Sequence, residues 1–248
     1  LKSIAIPDSV TKIENITFTG CSSLTSISIP ESVTYIGLDA FKDCTSLTSI
    51  YIPDSVTLTG LSGTFSGCTS LTNVKLPDVI YIISTNTFAG CSSLLNIIIP
   101  DSVTSIKECA FEGCKSLTNI AIPESVTKIK TWAFKDCTSL KSIAINNPDC
   151  EISNAKDTIP ETAVIYGYKN STAQTYAESF NRKFISLEEI GDISGNGEID
   201  LYDAIEIAKA IMGLRTFTAE EMIIADFNMD GAVDLYDAIE IARTLLPK

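Results

Sequence analysis

The chain has 248 residues, which is enough for one large or two ordinary domains with a buried core. It contains 31 acidic and 18 basic residues, and the formal net charge of −13 opposes binding to nucleic acid or an anionic membrane. It has no histidine, which excludes Ser-His and Cys-His nucleophile pairs and histidine zinc sites. No apolar run approaches the roughly 20 residues that a membrane span requires.

A tandem repeat with a period of 23 residues accounts for most of the chain. Its copies begin at Leu1, Leu24, Leu47, Leu71, Leu94 and Leu117, with one extra residue in the third copy. A unit this short cannot bury its own apolar face, so the copies are expected to stack into a solenoid. The opening Leu-x-x-Ile-x-Ile predicts a short strand in each repeat, and the proline after it ends the strand.

Six cysteines occupy the same repeat position, at Cys21, Cys44, Cys68, Cys91, Cys114 and Cys137. Their side chains point in parallel, so disulfide bonds between neighbours would distort the stack. We interpret them as buried thiols that pack as small hydrophobic groups, with metal binding or redox chemistry as the alternatives. Cys109 and Cys150 lie outside this column, and the sequence does not assign their role or redox state.

The outward strand positions are mostly Ser, Thr, Asn and Ala, except near the middle of the array. There, the candidates for binding on the repeat face are Tyr51, Lys75, Leu95 and Ile98, which would form an apolar patch with one charge. The alternative is a solvated sheet face with scattered apolar residues.

The recurring unit resembles the leucine-rich repeats of BspA-like bacterial surface proteins. Matching residues include the run from Ile52 to Val56 and the Ala-Phe pairs at Ala110 and Ala133. The resemblance implies a leucine-rich repeat solenoid with short parallel β-strands on its concave face and irregular return loops. It does not identify a ligand, since a fold alone does not fix function.

The period fails after Leu140, where Ile143 and Ile145 complete a last strand. Beyond them we expect a strand over Val164–Tyr166 and a helix over Ser171–Phe180 with Ser171 as its N-cap. This segment is similar to the C-terminal caps of the same repeat family. Leu1 already holds the first strand position, so we expect that a leader and upstream repeats are missing from this chain.

The last part of the chain is strongly acidic: from Glu188 onward there are 14 acidic and 4 basic residues. The acids fall in two loops 34 residues apart, each with glycine at its sixth position. Alternating oxygen ligands, a glycine turn and a final carboxylate are the pattern of a calcium loop. The predicted metal positions are Asp192, Ser194, Asn196, Glu198, Asp200 and Asp203 in the first loop and Asp226, Asn228, Asp230, Ala232, Asp234 and Asp237 in the second.

Both loops carry aspartate where an ordinary calcium hand carries glutamate, and no helical pattern precedes either loop. Each loop leads into the run DLYDAIEIA, which begins at Asp200 in the first loop and at Asp234 in the second. This arrangement resembles a type I-like dockerin, a small all-α module with two calcium-loop-helix units. The resemblance implies two Ca²⁺ ions and a partner, the cohesin module of a scaffoldin. The expected domains are therefore repeats over 1–145, a cap over 146–187 and a dockerin over 188–248.

In dockerins the contacts with cohesin come from the end of each loop and the exposed face of the following helix. The resemblance assigns this role to Leu201, Tyr202, Ile205, Ala208, Lys209, Leu235, Tyr236, Ile239, Ala242 and Arg243. Exposed Leu-Tyr pairs are good interface anchors because they bury a large area at little entropic cost.

We interpret the protein as a non-catalytic cellulosome component, located outside the cell on a cellulosome or bacterial surface. Its repeats would bind an unidentified protein or carbohydrate. The alternatives are a secreted adhesin-type binding protein, an enzyme with a carboxylate pair and an intracellular calcium sensor. Catalysis is disfavoured because the acids of the repeats recur at turn positions such as Asp8, Glu31 and Asp54 rather than as a converging pair. A sensor is disfavoured because the chain has only three methionines.

Overall fold

A computed structural model describes residues 2–56, 61–228 and 232–246 of the protein. The chain divides into two units, Leu1–Phe184 and Ile185–Lys248. The first unit contains the repeats and the segment after them, and the second contains the acidic loops. Within the described ranges, the helices are all too short or too polar to cross a membrane.

Short strands recur along the chain as far as Ser186. In chain order they are β1 (Ser3–Ala5), β2 (Lys12–Ile13), β3 (Ser26–Ser28), β4 (Tyr35–Ile36), β5 (Ser49–Tyr51), β6 (Asn73–Lys75), β7 (Ile82–Ile83), β8 (Ser105–Ile106), β9 (Asn119–Ile122), β10 (Lys128–Ile129), β11 (Ser142–Ile145), β12 (Glu151–Ile152), β13 (Val164–Gly167) and β14 (Phe184–Ser186).

The strands at the start of the repeats pair in parallel, as the sequence predicts. Strand β1 pairs with β3, β5 pairs with β6, and β11 lies between β9 and β13. The register places Ile4 opposite Ile27 and Ile50 opposite Val74, so apolar side chains stack on one side of the column. The predicted solenoid of parallel strands is therefore confirmed.

The return parts of the repeats are more regular than the sequence suggests where the structure describes them. They contain a second column of two-residue parallel strands, in which β2 pairs with β4 and the order of the others is β7, β8, β10, β12. Two residues are too few to produce a recognisable period in the sequence. The stacking of the repeats brings these segments together.

The fifth repeat departs from the expectation of one opening strand per repeat. Residues 96–98 are not in a strand. The backbone bonds beside them are long, since the N–H of Leu95 lies 3.5 Å from the carbonyl oxygen of Thr72, and that of Thr118 lies 3.4 Å from the oxygen of Leu95. Because these N···O distances are at the limit of a hydrogen bond, no regular strand forms here, and the strand prediction for this repeat is wrong.

The interior of the solenoid is a ladder of identical side chains. The rings of Phe18, Phe41, Phe65, Phe88, Phe111 and Phe134 stack with centroids 5.2 to 5.6 Å apart. All eight cysteines are free, and five of the six in the predicted column are buried, with Cys21 half-buried at its end. The interpretation of this column as buried thiols is confirmed.

The serine of the repeated Pro-x-Ser-Val segment connects neighbouring repeats, because its hydroxyl group donates a hydrogen bond to the preceding repeat. Ser55 Oγ donates to the carbonyl oxygen of Val33, one repeat earlier, at 2.7 Å, and Ser125 Oγ donates to that of Val103 at 2.7 Å. The N–H of Val56 closes the turn by donating to the carbonyl oxygen of Pro53 at 3.0 Å. These bonds satisfy carbonyl groups where the proline has stopped the strand.

The segment after the repeats covers the end of their core. Strand β13 and helix α1 (Thr172–Ser179) form as predicted, and the side chain of Ser171 caps the helix by accepting the N–H of Gln174. Ala173, Tyr176 and Ala177 are buried against the core of the repeats.

The second unit contains three helices in its described residues: α2 (Leu201–Ile211), α3 (Ala219–Ala225) and α4 (Leu235–Thr244). Helices α2 and α4 form as the sequence predicts, and they pack around a small core that includes Ile207 and Ile241. The expectation of no helix before either loop is wrong for the second loop, which α3 precedes. The side chain of Thr218 caps α3 and Glu221 completes a capping box.

Candidate functional site

The first acidic loop is folded around the carboxylate of Asp192. Its Oδ1 accepts the N–H of Asn196 at 3.1 Å, and its Oδ2 accepts the N–H of Gly197 at 2.8 Å. Gly197 has a φ of 88°, a conformation that favours glycine and lets the loop turn sharply here. The side chains of Ser194 and Asn196 also lie within the loop, with Ser194 Oγ 3.3 Å from Asp192 Oδ1 and Asn196 Nδ2 3.4 Å from Asp200 Oδ2.

Asp203 closes the first loop from the first turn of α2. Its carboxylate is fully buried, its Oδ1 accepts the N–H of Ser194 at 2.9 Å, and its Oδ2 accepts the N–H of Asp200 at 2.8 Å. Each oxygen has a second lone pair beyond the one that these bonds use. No Lys or Arg of the described residues forms an ion pair with Asp203, and burial of a carboxylate without a paired charge or a metal is costly.

The second loop repeats this arrangement at Asp237, which is also fully buried. Its Oδ1 accepts the N–H of Asn228 at 3.1 Å and its Oδ2 accepts the N–H of Asp234 at 2.8 Å. Asp230 and the glycine at the sixth position lie outside the described residues. The two loops therefore share the same closing carboxylate geometry.

The donors fit calcium by their chemistry. They are carboxylate, amide and hydroxyl oxygens with a backbone carbonyl at Glu198 or Ala232, which is the ligand type that Ca²⁺ takes. Among the described residues, no three acidic or thiol side chains form a ready metal cluster. The calcium pattern does not require one, because amide, hydroxyl and backbone oxygens supply part of the coordination.

Two of the predicted ligands also start the helices, a role that the calcium-loop pattern does not indicate. Asp200 accepts the N–H of Tyr202 at 2.6 Å and Asp234 accepts that of Tyr236 at 2.7 Å, and each aspartate forms a capping box with Asp203 or Asp237. The S/T-x-x-E signature of a capping box does not include Asp-x-x-Asp, so the signal is easily overlooked. Loop closure and helix initiation therefore depend on the same carboxylates.

The Leu-Tyr pairs lie directly after these caps and are exposed. Tyr202 is 63% exposed and Tyr236 is 67% exposed, and the adjacent Leu201 and Leu235 are exposed to a similar extent. Further along the helices, Ile205 is exposed, Ala208, Lys209, Ile239 and Ala242 are half-buried, and Arg243 is exposed. The residues assigned to the cohesin contact thus share the outer faces of α2 and α4.

Charged neighbours of this surface differ between the two halves. Lys209 Nζ lies 2.7 Å from Glu206 Oε1 and 5.9 Å from the centre of the Tyr202 ring. Glu206 also binds Arg215, whose other nitrogen lies 2.6 Å from Glu221. Hydrogen bonds from Lys209 and Arg215 lower the pKa of Glu206. Arg215 belongs to neither repeated loop-helix run, so the sequence pattern gives no signal for it.

On the repeats, the proposed binding patch is centred on a cross-strand pair. Tyr51 lies opposite Lys75 in the register of β5 and β6, and both are exposed. Lys75 Nζ lies 2.6 Å from Asp78 Oδ1, and this hydrogen bond raises the pKa of Lys75. Ile98, which is 86% exposed, borders a cleft of about 280 Å³ together with Lys75.

Comparisons with known proteins agree with both halves of the chain. The family model "BspA type Leucine rich repeat region" matches residues 1–80 and 61–156 in six copies, and "Dockerin type I domain" matches residues 190–246. No curated protein matches.

Two solved structures are similar to the repeat region. A leucine-rich repeat protein from Bacteroides ovatus ATCC 8483 is 28% identical, with a TM-score of 0.54 over 75% of this chain and 57% of that one. Another from Eubacterium ventriosum ATCC 27560 is 25% identical, with a TM-score of 0.57 over 65% of this chain and 43% of that one. The match thus spans less than two thirds of either relative.

Proposed function

Since the chain belongs to the BspA-type leucine-rich repeat family and ends in a type I dockerin domain, we propose that it is a non-catalytic cellulosome component. Its dockerin attaches it to the cohesin module of a scaffoldin outside the cell. Its repeats bind a separate protein or carbohydrate. Both families are typically binding modules, and a dockerin binds calcium and implies a cohesin partner.

We propose one Ca²⁺ ion in each acidic loop, held by the residues named for the two loops above. The buried carboxylates of Asp203 and Asp237 carry this proposal, because two backbone N–H groups fix each of them at the end of its loop, where a bidentate metal ligand is required. Bound calcium would offset the repulsion among the loop carboxylates and stabilise the helix starts at Asp200 and Asp234.

The proposed cohesin contact is the outer face of α2 and α4. Two exposed Leu-Tyr pairs, one after each loop, support it, since apolar side chains of this size are costly to leave in water. Ile205 supports it further, because it belongs to the apolar pattern of α2 and yet is exposed. Lys209 and Arg243 lie at equivalent places and would add charged contacts at the edge.

For the repeats, we propose the patch of Tyr51, Lys75, Leu95 and Ile98 as a binding face. It combines exposed apolar side chains, an ion pair between Lys75 and Asp78 and a neighbouring cleft. The alternative, a secreted adhesin-type protein, would use the same face without a scaffoldin. An enzyme with a carboxylate site is the less favoured alternative, because the turn acids such as Asp54 and Asp101 are spread along the solenoid.

A pull-down of the full chain on a panel of immobilised type I cohesins tests the attachment. We expect at least one cohesin to retain the chain in calcium and to release it in chelator. A variant with Asp203→Ala and Asp237→Ala is the matched control and should not be retained. If no cohesin of the panel retains the wild type in calcium, the cellulosomal assignment is wrong and the adhesin alternative is favoured.

A further inference from the structure

Trp132 occupies a repeat position whose backbone is left-handed. The φ values of this position lie between 52° and 63° at Ile16, Asp39, Gly63, Asn86, Cys109 and Trp132. Glycine and asparagine adopt this conformation easily, whereas a bulky or β-branched residue is strained there. A tryptophan therefore stands where the local backbone favours a small residue.

The indole is displayed at the surface. Trp132 is 45% exposed and is the one tryptophan of the chain. The ammonium of Lys135 lies 5.1 Å from the centre of its ring and 3.1 Å from Glu112 Oε1, so a cation–π contact helps to fix the ring. The backbone N–H of Trp132 donates to Thr158 Oγ1 at 3.4 Å. The backbone N–H of Phe134 donates to the carbonyl oxygen of Thr158 at 3.0 Å.

A cleft of about 220 Å³ is lined by Lys135, the residue whose ammonium contacts the ring. Asp157, Glu161 and Arg182 also line this cleft. The Arg182 side chain is 4% exposed, with Nη1 3.3 Å from Glu161 Oε2 and Nη2 donating to the carbonyl oxygen of Lys156 at 3.0 Å. The segment from 157 to 162 thus borders the cleft and also holds the backbone of Trp132.

We propose that Trp132 and this cleft form a binding site for a neutral polysaccharide chain. The site offers an exposed aromatic ring for the apolar face of a sugar, beside side chains that donate and accept hydrogen bonds. An anionic ligand would meet the carboxylates of Asp157 and Glu161, and a cationic one would meet the ammonium of Lys135. The proposal rests on the ligand-binding role proposed for the repeats but not on the patch around Tyr51 or on cohesin attachment.

Fluorescence of the full chain in calcium tests this proposal directly, because Trp132 is its one indole. Cellohexaose, xylohexaose, mannohexaose and maltohexaose serve as neutral probes and oligogalacturonate as an anionic one. We expect at least one neutral probe to change the emission saturably and oligogalacturonate to leave it unchanged. By calorimetry, Trp132→Asn, which keeps a residue suited to the left-handed backbone, should weaken binding of that probe at least about tenfold.

Two matched variants separate loss of the indole from relief of backbone strain and from loss of an exposed aromatic ring in general. Ile16→Asn makes the same strain-relieving change in the first repeat, and Tyr81→Ser removes an exposed ring that belongs to neither proposed binding face, so both should bind the probe as the wild type does. The proposal is overturned if no neutral probe changes the emission, or if Trp132→Asn binds as tightly as the wild type. It is also overturned if a secreted protein, and no saccharide, perturbs Trp132, since the surface would then be a protein interface.

Discussion

The thiol of Cys68 donates a hydrogen bond across 3.1 Å to the backbone carbonyl oxygen of Phe41, in the preceding repeat. The same bond recurs along the column, from Cys91 to Phe65 at 3.1 Å and from Cys114 to Phe88 at 3.2 Å. Each cysteine therefore joins two neighbouring repeats as a protonated donor. This role explains why the thiols remain free although adjacent repeats bring them close together.

The thiol column predicts loss of stability in alkali. Burial raises the pKa of Cys44 to about 11 and of Cys68 to about 12, and it also raises the pKa of Cys91. An unfolded thiol ionises near pH ~8.5, so the contribution of these groups is fully present below that pH and is lost as pH rises toward their folded pKa values. Each buried thiol should lower the free energy of unfolding by about 1.4 kcal/mol per pH unit in this window.

Urea unfolding at several pH values from neutral to alkaline measures this slope. The variant Cys68→Ser with Cys91→Ser keeps hydroxyl donors for Phe41 and Phe65 but removes two titrating groups. Its stability should fall less steeply with pH than that of the wild type. Equal slopes in the two proteins would contradict the prediction, because the other titrating groups are common to both.

The strained backbone at Ile16 predicts a stabilising substitution. Ile16 is exposed and has a φ of 63°, so Ile16→Asn loses little burial and should raise the free energy of unfolding by about 1 kcal/mol. Thermal unfolding measures the change. Ile16→Ala is the matched control, since it removes the β-branched side chain but does not favour the left-handed backbone as asparagine does, and it should give a smaller gain. A loss of stability in Ile16→Asn would show that the isoleucine side chain makes a contribution larger than its strain.

The sequence predicts the parts of this structure that have a period or a motif. The repeat identifies the buried positions of Phe41 and Cys68, and the loop spacing identifies Asp203 as the closing carboxylate. Helix α3 is missed because seven residues give too little periodicity, although Thr218 and Glu221 already form a recognisable capping box. The left-handed backbone conformation of Trp132 is missed because a bulky residue disfavours it. This conformation is imposed by the packing of neighbouring repeats, which the residue type does not reveal.

Calcium should bind with a stoichiometry of two and should be needed for the helices of the second unit. Without the metal, the carboxylates around Asp203 and Asp237 repel one another, which opposes the helix starts at Asp200 and Asp234. Calorimetry of the full chain measures the stoichiometry, and far-UV circular dichroism in chelator measures helix loss. Asp203→Ala and Asp237→Ala should each leave one site. A wild type with one site, or with unchanged helix content in chelator, would count against two functional loops.

Cohesin binding should depend on the Leu-Tyr pairs. Replacing Leu201, Tyr202, Leu235 and Tyr236 by alanine removes the exposed anchors of both halves, and we expect a loss of several kcal/mol, as for interface hot spots. Surface plasmon resonance against a cohesin that retains the wild type gives the change in Kd. Leu214→Ala, at another exposed leucine of the same module, is the control and should bind normally. Wild-type affinity in the fourfold variant would place the interface elsewhere.

The dockerin should bind its cohesin in two orientations related by about a half-turn. Residues 192–211 and 226–245 share 11 of 20 positions, namely the first aspartate, the glycine and the nine residues of DLYDAIEIA. The outer faces of α2 and α4 therefore present the same Leu-Tyr pair, and similar surfaces exchange roles under a two-fold rotation.

Truncating the pair in one half should then cost only about twofold in affinity, because the other half still supplies a binding mode. The two orientations should differ somewhat in affinity, because the charged residues of the two halves have different neighbours. Lys209 pairs with Glu206, which Arg215 also contacts. Arg243 is exposed and pairs with Glu240. The difference in affinity between the two orientations is measured with two double variants. One carries Leu201→Ala and Tyr202→Ala, and the other carries Leu235→Ala and Tyr236→Ala. If one of these double variants abolishes binding and the other has no effect, the module has a single orientation and the two-mode prediction is wrong.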